Sequence, residues 1–394
     1  MKYASPSLML FGLLPAIAFA HGFGVAEGTQ LDAAVSTSWR SQASGEATEA
    51  WRIPGVLMGG HALPLERSTS LDQASLTLTH HRKDRLYALL KAGTHGDSEI
   101  SLEQAYAGWR TPGEATGMAI EAGRMGALFS PLLREHAVDR LFTENSLLTD
   151  AFFGRHFEDN GLRLLARLPL GIRIGIESWQ GNAFPATPGQ LMTDILGDIT
   201  FKADSLSVTT GFFAVQATAE NRTDNRYETG HSHGGSTISV SEVRFSGDTR
   251  LVGAHGLMAW KASDAATLRL QGEWIHQDLD GELRDATRLA QLDGSHSGFS
   301  HTISLQAGAH EIGVRHDALS LNNTVSGSGA SILAPAAGLM PQARNPQKLN
   351  AGWSMQLLPG LKTRIEWIRD DSTGTRRERW AFGVVWQETL WRRH

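Results

Sequence analysis

The sequence predicts an all-β protein: a transmembrane, antiparallel, up-and-down β-barrel of about sixteen strands, built as one domain. Three observations predict it. Apolar residues alternate with polar ones at period two along segments of about ten residues, the length of a tilted bilayer-spanning strand. Many apolar sets end in Trp, Phe or Tyr, as rings at a membrane–water interface do. Connections alternate between short turns and stretches of about 20 to 35 residues, which suits a barrel with short periplasmic turns and long outer loops.

Composition removes the other large classes. The chain has 394 residues, 41% hydrophobic and 20% charged, with a mean hydropathy of −0.22. No run is long enough for a bundle of membrane helices, and the aromatic content is too high for a largely disordered chain. There is no cysteine, which excludes disulfides, thiolate metal sites and Cys nucleophiles. A net charge of −5 gives no general attraction to nucleic acid, and no such partner is expected.

The elements follow in order. Residues 1–20 read as a secretory signal: Lys2, an apolar core over 8–17, then Ala18-Phe19-Ala20. Residues 21–394 form the barrel, in the outer membrane of a Gram-negative bacterium after Sec export. No cysteine follows the signal, so no lipoprotein anchor is expected. Only about ten residues lie between His21 and Gln30, so no plug and no exported passenger is expected.

Strands are predicted at 30–39, 71–81, 85–94, 100–109, 117–125, 161–168, 171–180, 198–203, 205–215, 250–260, 266–276, 299–308, 310–318, 347–357, 360–370 and 380–390. The clearest apolar sets are Leu162, Leu164, Ala166, Leu168; Ile172, Ile174, Ile176; Leu349, Ala351, Trp353, Met355, Leu357; and Trp380, Phe382, Val384, Trp386. Pro169-Leu170-Gly171, Asp204-Ser205 and Pro359-Gly360 are the short turns. An even count leaves both termini on the turn side. The segment 236–246 is taken as a strand extension or loop hairpin above the membrane; fourteen or eighteen strands are the other counts the pattern admits.

The fragments Glu103-Gln104-Ala105-Tyr106-Ala107-Gly108-Trp109 and Ala119-Ile120-Glu121-Ala122-Gly123-Arg124-Met125 resemble the bacterial porins. There a strand–turn–strand block ending in Gly-Arg precedes the loop that folds into the pore. The closest resemblance is to the phosphate-selective (O/P-type) porin superfamily. It implies a water-filled channel for passive diffusion of small hydrophilic solutes, a homotrimer, and a constriction loop at 126–160, between the fifth and sixth strands. Trp386 or Trp391 would stand for the terminal aromatic of that family.

If the apolar parity meets lipid, the other parity meets the lumen. The resulting pore-lining set is Arg85, Lys91, Glu121, Arg163, Arg167, Arg173, Glu177, Arg269, Glu273, Arg315, Lys362 and Arg364, with Lys348, Glu311 and Glu366 beside them. Cations outnumber acids, so weak anion preference is expected. Arg163, Arg167 and Arg173 would form a local ladder. The loop adds Arg134, Glu135, His136, Asp139, Arg140, Glu144, Arg155 and His156, a mixture suited to opposed acidic and basic sides.

Other functions have weaker support. His231 and His233, two apart on a polar loop with Gly234-Gly235, form a candidate metal pair, and a zinc-related uptake channel is the alternative transport reading. His80-His81 points to opposite strand faces and does not chelate. A barrel hydrolase would draw on Asp150, His156 and Asp159, or on His310, His316 and Asp317, but no Gly-x-Ser-x-Gly surrounds any serine. No catalytic residue and no cofactor are expected. A structural or adhesive barrel is the third class, with its lumen filled or plugged. Asp278, Asp280, Glu282, Arg284, Asp285 and Arg288 read as an outer loop able to meet lipopolysaccharide through divalent ions, and the apolar face meets outer-membrane lipid.

Overall fold

The computed structural model describes residues 27–45, 51–82, 85–96, 99–111, 116–227, 242–340 and 344–393. The signal segment 1–20 and the pair His231 and His233 lie outside them. Among the described residues no helix is long and apolar enough to cross a membrane; any crossing is made by strands.

Sixteen strands form one closed antiparallel barrel, each paired with its neighbours in sequence, and the first with the last. They are β1 (Gly28–Arg40), β2 (Thr69–Arg82), β3 (Leu86–Thr94), β4 (Ser101–Arg110), β5 (Gly117–Gly126), β6 (Glu158–Leu168), β7 (Ile172–Trp179) and β8 (Met192–Ala203). The second half comprises β9 (Leu206–Arg222), β10 (Arg244–Ser263), β11 (Ala266–Arg284), β12 (Leu289–Ala307), β13 (His310–Ser326), β14 (Gln347–Leu358), β15 (Leu361–Asp370) and β16 (Arg377–Arg393). Closure leaves no sheet edge, which a hydrocarbon environment requires. Each of the sixteen predicted segments overlaps one strand.

The parity also stands. Leu162, Leu164, Ile174, Ile176, Ile195 and Ile199 face outward and are exposed, as are Trp109, Trp260, Trp274, Trp380 and Trp386. Their inward neighbours Arg163, Leu165, Glu177 and Trp179 are buried. This band has the chemistry of a lipid contact.

Two expectations need correction. Strands β9 to β13 run well beyond the predicted membrane length. On β11 the outward face changes from Leu268, Leu270 and Trp274 to His276, Asp278, Asp280 and Glu282, while the ladder to β12 continues to Arg284. Nine residues at ~3.3 Å each extend the wall ~30 Å beyond that point along the strand. Asp278, Asp280, Glu282 and Arg284 are therefore strand residues, and only 285–288 is loop. Hydrogen bonding does not stop where the outer face becomes wet; the inward Leu279, Leu283, Ala290 and Leu292 still pack inside. Arg244, Phe245 and Ser246, at the end of the 236–246 segment, belong to β10, which agrees with the strand-extension alternative; residues 236–241 lie outside the described ones.

The second correction concerns the interior, which holds two inward loops where one was expected. Two loops fold into it from the outer end. The β1–β2 connection supplies Trp51, Ile53, Val56, Met58 and Ala62, and the β5–β6 connection supplies Leu128, Phe129, Leu147, Leu148, Phe152, Phe153 and Phe157. They pack with Trp179, Met192, Phe213 and Ile275 of the wall. A smaller cluster lies under helix α3 (Ala330–Ala336) of the β13–β14 connection. The wall is wide enough that side chains alone do not fill it; backbone does.

Candidate pore constriction

The β5–β6 loop, 127–157, crosses the barrel interior. It contains helix α1 (Pro131–Arg134), started by Ser130 and Pro131, and helix α2 (Leu147–Phe152), started by Ser146. A loop buried in this way carries amides and carbonyls that must find partners. The wall supplies them from its charged residues.

Wall carboxylates accept from loop amides. Glu177 accepts from Leu128 N at 3.0 Å. Glu273 accepts from Ser130 Oγ at 2.5 Å and Leu132 N at 3.2 Å. Asp317 accepts from Leu147 N at 2.9 Å, and Glu366 from Thr143 N at 2.7 Å and its hydroxyl at 2.6 Å. Wall cations donate to loop carbonyls. Arg364 reaches Ala137, Arg140 and Phe142 at 2.9, 3.1 and 3.2 Å. Lys362 reaches Val138 and Arg140, both at 3.3 Å. Arg315 reaches Glu144 and Asn145 at 3.1 and 3.0 Å, and Lys348 reaches Asn145 at 3.4 Å. One loop side chain is fixed in return: Glu144 takes two hydrogen bonds from Arg379, each 2.6 Å. Although burial pushes the Glu144 carboxyl up, Arg379 and Lys348 outweigh it and hold the group well below the usual glutamate range.

The inward residues named from parity therefore divide into three groups. Glu177, Glu273, Arg315, Lys362 and Arg364 are moorings for the loop. Arg163 and its neighbours form a sealed pair set: Arg163 is fully buried, 2.6 Å from Glu121 and bonded also to Glu177 and to the Gly126 carbonyl. Register explains this, since Glu121, Arg163 and Glu177 are directly opposite on β5, β6 and β7. The expected ladder of Arg163, Arg167 and Arg173 is thus corrected: Arg163 faces carboxylates, Arg173 is taken by Asp198, and only Arg167 and Arg173 stand opposite each other. The third group is partly exposed on the turn side of the loop. Arg269 bonds Gln306 at 2.6 Å and Glu311 at 3.3 Å. Arg85 is exposed in the turn before β3, at the rim. Lys91 lies higher, 2.8 Å from Glu103.

The loop residues divide similarly. Arg155 is held by Asp150 at 2.8 Å, and Glu144 by Arg379. Glu135 accepts from Gln271 at 2.6 Å, Asp139 from Gln387 at 3.3 Å, and His136 lies 3.4 Å from Lys91. Burial, with Arg173 nearby, lowers Arg134 to about 10, and burial with Arg364 and Arg315 lowers Arg140 to about 10; both remain cations at neutral pH. The candidate hydrolase groups do not assemble. Asp150 is engaged by Arg155, Asp159 by Asn182, and His316 and Asp317 lie on opposite faces of β13. His80 and His81 likewise face opposite ways, with His81 stacked on Tyr87 at 5.6 Å.

Sequence reasoning missed Asp317 and Arg379 as moorings, and Asp72 as the wall carboxylate behind Arg364. Asp72 accepts from Ser38 at 2.5 Å and pairs with Arg40 at 3.1 Å and Arg364 at 3.5 Å. The signal was present for Arg379, which has the inward parity opposite Trp380 and Phe382. The two inner loops touch where both backbones have positive φ: Gly60 (+67°) lies against Gly154 (+61°), and a Cβ on either would come within 2.8 Å of the other's backbone. His61 N donates to Gly154 O there at 2.7 Å.

No protein-family model and no curated protein matches the sequence. Solved structures do. The outer membrane channel DcaP of Acinetobacter baumannii is 9% identical, with a TM-score of 0.52 over 93% of this chain and 99% of that one. OprB of Pseudomonas putida is 11% identical, with a TM-score of 0.51 over 92% and 94%. OmpF of Salmonella typhi, in a complex with daunomycin, is 11% identical, with a TM-score of 0.51 over 91% and 97%. At these identities the likeness shows architecture alone: the chain has the sixteen-stranded barrel fold of the outer-membrane porins.

Proposed function

We propose that this protein is an outer-membrane channel for passive diffusion of small hydrophilic solutes, narrowed by loop 127–157. The observation that carries the reading is the mooring itself: a closed sixteen-stranded wall with an apolar outer band holds a loop across its interior through charged groups on the inner face. Once Arg163, Arg315, Lys348 and Arg379 are set against their carboxylates, the partly exposed inner charges on the turn side include Arg134, Arg140, Arg167, Arg173, Arg269 and Lys362 against Glu135, Asp139, Asp198 and Glu311. This surplus supports weak anion preference, because low-dielectric walls focus the field of fixed charges. Purified protein in a planar bilayer under a salt gradient tests it. A reversal potential of anion sign is expected; cation selectivity removes the preference.

The Glu103–Trp109 and Ala119–Met125 segments carry the resemblance to the phosphate-selective porins, and a phosphate block of chloride current tests that branch. The outward face of β2 to β5 is a shallow concavity with Ala88, Ala105 and Ala107, which suits the flat contact of a homotrimer. The acids outside β11 suit divalent-bridged lipopolysaccharide. One observation favours a second reading. The apolar packing of the two inner loops is what a structural, plugged barrel would have, and absence of any conductance would support that barrel over the channel.

A further inference from the structure

A second constellation lies at the outer end of the interior, beside the point where the inner loop rejoins the wall. His95 directly follows β3, Glu103 is on β4 and Glu158 opens β6. One ligand atom from each lies within 4.8 Å of the others, and His95 Nε2 is 3.2 Å from Glu103 Oε1. The His156 ring stacks on His95 at 4.3 Å, with His61 a further 6.5 Å from His156. We propose that His95, Glu103 and Glu158, with His156 beside them, bind one divalent first-row transition ion of the zinc class.

The geometry is close to what such an ion needs. Zinc holds nitrogen and oxygen donors at ~2.0–2.2 Å, which sets tetrahedral donors ~3.4 Å apart. The widest separation here must close by little more than ~1 Å, within the reach of a side-chain adjustment. The Glu158 carboxylate has no hydrogen-bond or ion-pair partner among the described residues, so its ligation breaks no such contact, and the ion takes the place of the His95–Glu103 hydrogen bond. Lys91 occupies Glu103 Oε2 at 2.8 Å and leaves Oε1 turned to His95. Glu103 and Glu158 offer two carboxylates to a cation, with Lys91 on Glu103 and Arg124 also near Glu158; Arg155 is already taken by Asp150. A mixed imidazole–carboxylate set favours zinc-class ions over calcium or magnesium, which take oxygen donors. The site draws on residues other than His231 and His233, and it does not depend on whether the barrel conducts.

Full-length barrel purified in detergent tests this by equilibrium dialysis against zinc, with cobalt absorption as the signature of nitrogen and oxygen ligation. One ion per chain is expected. Affinity should fall about tenfold or more in His95→Ala and in Glu158→Gln, and persist in the His231→Ala/His233→Ala double variant and in excess calcium. Glu158→Gln is nearly isosteric at a group without partners, so its barrel folds, and retained strand circular dichroism verifies that. No zinc retention by the wild type, or retention unchanged in both His95→Ala and Glu158→Gln, overturns the proposal. Conductance is recorded separately: a barrel that conducts without binding zinc loses only the metal site, and one that binds zinc without conducting loses only the channel.

Discussion

At the scale of single residues, buried charge controls this interior. Arg163 is fully buried between Glu121 and Glu177. Removing one partner of such a set strands the others, at a cost of ~3–5 kcal/mol, whereas replacing the whole set by neutral groups is often near neutral. Arg163→Met should therefore lower the unfolding free energy of the refolded barrel, read from urea titration, by that order, and Arg163→Met with Glu121→Gln and Glu177→Gln should recover most of it. Failure of the triple variant to recover would show that the charges do more than compensate one another. Glu144 gives a pH prediction. Its folded pKa is depressed, so its contribution is complete above the ordinary glutamate value and is lost progressively as pH falls from there through the much lower folded value. Acidification from pH 7 to ~4 should leave its hold on Arg379 intact, whereas Arg379→Gln should bring the loss of thermal stability up into the ordinary carboxyl range.

At the scale of elements, strands were legible and their ends were not. Period-two alternation finds each strand because one face meets an apolar medium and the other does not, as at Leu162 to Leu168. It stops being informative where the outer face turns polar above the membrane, as at Asp278 and Asp280. There the inward Leu279 and Leu283 carried the remaining signal. Loop 127–157 was legible as an inward element from its place between the fifth and sixth strands. Its moorings were not, because Glu273 or Arg364 looks the same in sequence whether it meets water or a buried amide. The contact of the two inner loops at Gly60 and Gly154 has a direct test. Gly154→Val puts a branched side chain at a positive φ and against the Gly59–Gly60 backbone. It should loosen the inner loops while leaving the wall closed, seen as faster proteolysis within 127–157 and unchanged strand circular dichroism. Unchanged proteolysis would mean that the crossing does not hold the loops.

In the whole molecule, a wall with an apolar outer band carries an interior loop held by charge. The wall is fixed by ladders running around the closed barrel, so the loop can change while the barrel persists. Single-channel conductance of the wild type and of Glu273→Leu/Glu366→Leu tests this most directly, because those substitutions leave the amides of Leu132 and Thr143 unpaired at ~1–3 kcal/mol each without touching the strand ladders. Small, steady current steps are expected for the wild type and larger, noisier ones for the variant. Steps of equal size in both would contradict the claim that the moored loop sets the path.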